Sequence, residues 1–309
     1  MIILKKIKNR IEKIKERIRK FLGIRLIKSL RDLIIFKQTI DLQKQHPNPL
    51  NSYGKKGFSQ TDEDGITLEI IRRIGIKKGI FAEFGPGDGT ENNTISLAAL
   101  GWKGFWVGSE NLKFKYNNSN NFYYFKGRIT KENAPGYILE GLKNLKEKKV
   151  DVLSIDLDGN DIYILEEILR KDISPSLIIA EYNAKFPPPI LWKMKYDPNH
   201  VWPGDDYFGA SLSEFSRVLG KYSYKTVCCN SHTGANAFFV KKDFAELFKD
   251  VPDDILQIYV PPRYQFYEHF DHPHNPTNKL LTKLQHKTIH VQILLFKLYR
   301  LIDTKKFRI

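Results

Sequence analysis

The chain holds only two cysteines in 309 residues, and they are neighbours, Cys228 and Cys229. Adjacent cysteines in an apolar run, with no third to pair with, exclude a disulfide framework and read as buried strand residues of a protein from a reducing compartment. Long hydrophobic runs are missing too. None reaches the roughly 18 residues a spanning helix needs, and lysine interrupts the N-terminus too often for a signal-peptide core. The expectation is a cytoplasmic protein, either free or peripheral to a membrane. Acids are scarce at one end: residues 1–31 carry twelve Lys and Arg against Glu12 and Glu16, so ten of the fifteen net positive charges sit in one arm.

What is present is a core. Hydrophobic residues make up 41% of the chain and aromatic residues 13%, which suits a globular protein. Three parts are expected: a basic helical arm over 1–50, a domain over 51–250, and an aromatic and histidine-bearing loop with a basic amphipathic helix over 251–309. In the arm, Leu4, Ile7, Ile11, Ile14, Ile18 and Phe21 recur at three- and four-residue steps, one stripe of a helix with Lys and Arg around it. Gly23 is expected to interrupt that helix. Such an arm suits an anionic membrane surface, another helix of this chain or of a second copy in a homo-oligomer, or nucleic acid. In the last part, His269, His272 and His274 have no cysteine beside them and read as a surface loop rather than a zinc site.

The central stretch alternates. Thr61 and Asp64 resemble a capping box for a helix that Gly75 stops. Apolar runs then predict strands at 80–84, 104–108, 122–125, 150–155 and 177–180, with helices between them at 95–100, 137–148 and 162–169. A capped helix from Ser211 to Gly220 precedes two strands, 222–229 and 235–240, joined by a five-residue turn. β/α alternation demands a parallel doubly wound sheet, and the short last connection makes the seventh strand antiparallel to the sixth. The stretch from Pro187 to Tyr207, with Trp192, Tyr196 and Trp202, is too long and too aromatic for a plain connector and reads as a lid.

The most informative stretch is Ile80 to Thr90, a buried-strand run ending in Glu83-Phe84-Gly85-Pro86-Gly87-Asp88-Gly89. Glycines there allow a backbone to approach a ligand closely. Dinucleotide binding would place the third glycine one position later, and a phosphate-gripping loop would want Lys-Ser/Thr where Thr90-Glu91 stands.

With Glu110 after the second strand, acids after the fourth and a closing hairpin, residues 56–245 resemble a class I S-adenosylmethionine-dependent methyltransferase with a Rossmann-like seven-stranded sheet. Ser59-Gln60, Glu63-Asp64-Gly65 and Asn93-Thr94 look like the FkbM-type sugar O-methyltransferases. Asp158-Gly159-Asn160-Asp161 is similar to the acidic corner of macrocin-type, metal-assisted O-methyltransferases. The resemblance implies S-adenosylmethionine held by Gln60, Glu83, Gly85, Gly87, Asp88, Gly89, Asn93, Glu110 and Asp156. Glu83 would face the cofactor's ammonium group, directly or through a water, and Glu110 its ribose. Asp158, Asp161, Glu181, Asn183 and His232 are the catalytic candidates.

Three acids at one strand end repel unless a proton or a cation intervenes, so either raised pKa values or Mg²⁺ on Asp158, Glu181 and Asn183 is expected. Without metal, Asp158 or His232 would be the general base. Asp161 has a competing reading as a helix N-cap. The acceptor implied is a hydroxyl of a sugar in a surface glycan or its precursor. Two alternatives stand beside it: an RNA methyltransferase gripping phosphate with the arm, and a non-catalytic membrane-tethered scaffold. Base methylation is disfavoured because Asp156-Leu157-Asp158-Gly159 stands where an Asn/Asp-Pro-Pro-aromatic stretch would hold a flipped base.

Overall fold

The structure is a computed structural model that describes residues 2–263. The histidine loop and the basic C-terminal helix expected beyond them lie outside the described residues. Seven strands form one sheet: β1 Ile80–Phe84, β2 Lys103–Gly108, β3 Phe122–Lys126, β4 Val152–Ile155, β5 Leu177–Glu181, β6 Tyr224–Cys229 and β7 Asn236–Lys241. Their order is β3-β2-β1-β4-β5-β7-β6. The first five run parallel, and β7 lies antiparallel between β5 and β6. The expected strands are all present to within two residues, because each is an apolar run bounded by polar or glycine residues. Phe81, Phe84, Phe105, Phe238 and Phe239 are fully buried, which places the core on both faces of the sheet.

The helices are α1 Ile2–Gln45, α2 Glu63–Ile74, α3 Ile95–Ala99, α4 Ala134–Leu145, α5 Asp161–Arg170, α6 Leu212–Gly220 and α7 Ile255–Ile258. Gly23 does not interrupt the arm: α1 continues through it for 44 residues. One glycine costs a helix only about 1 kcal/mol, which long helix-forming flanks absorb. The capping box is not formed either. Asp62 occupies the N-cap but its carboxylate makes no bond to the helix amides, and Asp64 reaches back to accept from the amides of Gly57, Phe58 and Ser59 at 2.7–2.9 Å. Gly75 ends α2 as expected, at φ +82°.

The folded body also exceeds the expected limits of 51 and 250. Ile35, Thr39, Gln43 and Leu50 are buried at one end, and Val251, Ile258 and Val260 at the other. Asn48 and Asn51 explain part of this. Their side-chain amides donate to the carbonyls of Val227 and Cys229 on β6 at 2.7 and 2.8 Å, satisfying the open edge of the sheet. Both cysteines are buried thiols.

Parallel pairing puts the carboxyl ends of β1 to β5 on one edge. β1 is flanked by β2 on one side and β4 on the other, so the chain crosses over at this point and leaves a crevice above it.

Candidate functional site

The glycine turn after β1 forms the floor of that crevice. Gly85, Gly87 and Gly89 have φ of +84°, +52° and +83°, a region closed to most side chains. Each is needed for a different reason. A Cβ on Gly85 would sit 1.7 Å from the Asp156 carbonyl oxygen, so the glycine lets the ends of β1 and β4 meet. On Gly89 it would strike Phe114 and Leu112. On Gly87 it would meet nothing within 4 Å. Gly87 faces a cleft of 580 Å³, which Glu110, Arg128, Asp156, Asp158 and Trp202 also line.

Glu83 is not in the cleft. One of its oxygens accepts from the Asn93 amide at 3.0 Å; the other accepts from the Thr94 hydroxyl at 2.5 Å, which in turn accepts from Trp106 Nε1 at 2.9 Å. Asn93 continues the inward network by donating to Ser154 Oγ at 3.1 Å. Burial pushes the Glu83 carboxyl up to about 6 despite these donors. Glu83 and Asn93 therefore brace the glycine turn from behind, which corrects the expectation of direct contact with a ligand's ammonium group. Asp88 turns to Lys113 at 2.7 Å and to the Thr90 amide, also away from the cleft. Gln60 is exposed and its carbonyl accepts from Lys56. Of the residues expected to hold the cofactor, the cleft is lined by Gly85, Gly87, Glu110 and Asp156.

The acid corner divides in two. Asp156, Asp158 and Glu181 each bring an oxygen to within 4.8 Å of the others. Burial first, and then the neighbouring carboxylates, hold Asp156 and Glu181 well above the ordinary carboxyl range. A hydrogen bond between that pair fits one shared proton. Asp158 adopts φ +53°, a left-handed turn that brings the strand end round to the cleft. Asp161 is not part of this group. Its carboxylate clasps its own loop, accepting from the Leu157 and Gly159 amides at 2.8 and 3.0 Å, and burial raises it to about 6. The N-cap reading of Asp161 does not hold: Asp161 is the first residue of α5, and Asn160 occupies the cap.

Two further candidates lie elsewhere. Asn183 is fully buried, donating to the carbonyls of Asp206 and Phe208 at 2.9 and 3.0 Å while its own oxygen accepts from the Lys185 amide. It ties down the segment after β5. His232 follows β6 and meets Thr39 of α1, with Nδ1 3.4 Å from Oγ1, and burial pulls its pKa down. Neither residue lines the cleft.

The aromatic stretch expected as a lid is a folded cap. Phe186, Ile190, Trp192, Met194 and Tyr207 form a small core of their own, with Phe186 stacked on Trp192 at 4.2 Å. Arg128, just after β3, donates to the carbonyls of Pro198 and His200 at 2.9 and 3.1 Å and pins the cap over the cleft. His200, which sequence reasoning passed over, enters the cleft from this cap. Its Nε2 lies 3.2 Å from the Asp158 carbonyl, and a Cβ on Gly159 would meet its ring at 2.5 Å. Arg128 had a findable signal, since it stands just beyond a parallel strand end as Glu110 does. His200 had none in its local pattern.

The donor set of the acid trio is hard and anionic, so it fits a divalent cation such as Mg²⁺. The Cβ-free floor at Gly87 fits a ligand lying flat against the backbone.

No known protein-family profile matches the chain, and no curated protein does. Among solved structures it is similar to human N-acetylserotonin methyltransferase in complex with SAM, at 11% identity and a TM-score of 0.33. That match covers 53% of this chain and 47% of the other, so the chain spans about half the length of that protein. It is similar to the MycE methyltransferase of the mycinamycin biosynthetic pathway, solved with Mg and SAH, at 11% identity and a TM-score of 0.37, covering 63% and 53%. It is also similar to precorrin-6y C5,15-methyltransferase from Geobacter metallireducens, at 12% identity and a TM-score of 0.32, covering 60% and 90%. Likenesses of this size do not carry a function across. The sheet is Rossmann-like with β7 reversed between β5 and β6, and on it the glycine turn and the acid trio fall together at the crossover point.

Proposed function

We propose that this chain is an O-methyltransferase that uses S-adenosylmethionine and acts on a hydroxyl of a sugar in a glycan or its precursor. The observation that carries the reading is the single cleft that joins Gly87, open where a Cβ would stand, to Glu110 on one side and Asp156 and Asp158 on the other. S-adenosylmethionine would supply a sulfonium methyl group for the acceptor oxygen, its sulfur keeping the electron pair of the broken S–C bond as a neutral thioether. Gly85 and Gly87 would let the donor lie against the backbone, and Glu110 would accept from ribose hydroxyls. Trp202 offers an aromatic face and Asp158 a hydroxyl acceptor, a pairing that suits a sugar ring.

The proton lost by the acceptor has two receivers in the cleft, Asp158 and His200. His200 Nε2 donates to the Asp158 carbonyl in the tautomer that leaves Nδ1, on the other side of the ring, as the acceptor. The cap over Arg128 keeps bulk water from competing for the methyl group. Asp156, Asp158 and Glu181 would hold a divalent cation, which would supply charge that lowers the pKa of a nearby hydroxyl.

A labelled-methyl transfer screen over glycans, nucleotide sugars and RNA, with and without chelator, tests the reading. Transfer to a sugar hydroxyl is expected. Calorimetry showing no S-adenosylmethionine binding would sink it. Chelation that leaves transfer unchanged would remove the cation alone.

A further inference from the structure

The net charge of +15 belongs wholly to the two ends of the chain. Residues 1–31 carry twelve bases and two acids, and residues 264–309 eight bases and three acids, so the 232 residues between them hold thirty of each and are neutral.

The arm is also separate from the body in its packing. α1 spans 44 residues, about 66 Å at 1.5 Å per residue. Its attachment begins at Ile35, Thr39 and Gln43, which are buried at four-residue steps. Gln43 donates to Asp62 at 2.9 Å and Gln38 accepts from Arg263 at 3.1 Å. Before Ile35, every described side chain from Glu12 onward is exposed. Ile14, Ile18, Leu22, Leu26, Leu33 and Phe36 are each more than half exposed. At 100° per residue these six fall within an arc of about 120°, which also holds Lys15; Arg19 lies at its rim, Lys13 and Lys20 lie on the far side and Arg17 to one side, while Phe21, Leu30 and Ile34, also more than half exposed, lie outside it.

We propose that α1 docks on an anionic lipid surface, with this arc in the interface and the flanking bases among the headgroups. An apolar arc of this length needs cover, and the charge around it chooses the cover. A second copy would bring another arm of the same large positive charge against it, and the basic C-terminal segment has the same sign. Nucleic acid would satisfy the bases and leave the arc in water. An anionic bilayer satisfies both, and each Lys or Arg near such a surface is worth about a five-fold gain in partitioning. The root of the arm lies by the turn after β6, on the same edge of the sheet as the cleft. The proposal does not depend on the chemistry of the cleft.

The test is co-sedimentation of the full chain with vesicles of phosphatidylcholine alone or with about 30% phosphatidylglycerol. Binding is expected only to the second, and it should weaken at least ten-fold between 0.1 and 0.5 M NaCl. Lys15→Glu with Arg19→Glu should weaken it by about 25-fold or more, and Ile14→Ser, Ile18→Ser and Leu22→Ser together should abolish it with the charge unchanged. Among the described residues these side chains are exposed and touch nothing in the body, so thermal unfolding of the body should not move. Equal binding to both vesicle types, or variants that bind like the parent, would overturn the proposal. So would a stable dimer that the serine variants dissociate, or tight RNA binding they leave intact, where vesicle binding is absent.

Discussion

Gly85, Gly87 and Gly75 share a positive φ, and the space around them separates three costs that are usually confounded. Gly75 ends α2 at φ +82°, far from the cleft, and a Cβ added there would have nothing within 4 Å. Gly75→Ala therefore carries the backbone penalty alone, about 1 kcal/mol, or roughly 2–4 °C in Tm for a domain of this size. Gly87→Ala should lose a similar amount, since its Cβ also meets nothing. Its Cβ enters the cleft, however, where a ligand lying on the backbone would make its contact. Affinity for S-adenosylmethionine should fall at least ten-fold, a loss of about 1.4 kcal/mol. Gly85→Ala adds a contact of 1.7 Å with a backbone carbonyl, which only a shift of β1 against β4 can relieve. A total of about 3 kcal/mol or more is expected, seen as a Tm drop near 10 °C or as insoluble protein. Thermal melts of the three variants, with calorimetric titration of S-adenosylmethionine, decide it. If Gly87→Ala binds as tightly as Gly75→Ala, the floor of the cleft is not where the ligand lies. If Gly85→Ala is no less stable than Gly75→Ala, the close approach of the two strand ends is wrong.

Three further outcomes follow from the site. Mg²⁺ at millimolar concentration should raise the Tm of the parent protein by a few degrees, as any ligand of the folded state does, and Asp156→Asn or Glu181→Gln should remove the rise; an unchanged Tm in the parent argues against a cation on the trio. Glu83 titrates near 6 in the folded protein against about 4.5 unfolded, so the stability it adds is present below pH 4.5 and is lost as pH rises through 6. That is about 2 kcal/mol, and urea melts of Glu83→Gln should show a shallower decline over this window than the parent. His200→Ala should lower kcat by about 10²-fold with KM for S-adenosylmethionine little changed, whereas His232→Ala should leave kcat alone; equal effects of the two would move the proton acceptor elsewhere.

The order of the strands was legible in the chain because each apolar run is short, bounded by glycine or polar residues, and separated from the next by a helical period. Such signals depend on neighbours within a few residues. The reversal of β7 against β6 and the position of the acids just past β4 and β5 follow from the same local pattern, and they put those residues at the carboxyl ends of the strands; that β1 lies between β2 and β4 is decided by pairing.

What the side chains at that edge face was decided by tertiary structure. Glu83 stands beside the glycines in sequence yet turns back to Asn93 and Thr94, because the loop closing onto α3 brings it three donors that a buried carboxylate cannot forgo. Asn183 and His232 each follow a strand, as Asp156 does, but the cap draws one and α1 draws the other. His200 reaches the cleft from 42 positions beyond Asp158 only because Arg128 and Asn160 hold the cap backbone in place and Gly159 leaves room for its ring. The alternation of apolar and polar residues is enough to build the sheet. Which polar groups meet in the cleft depends on loop closure and on who satisfies each buried charge, and neither is a property of adjacent residues.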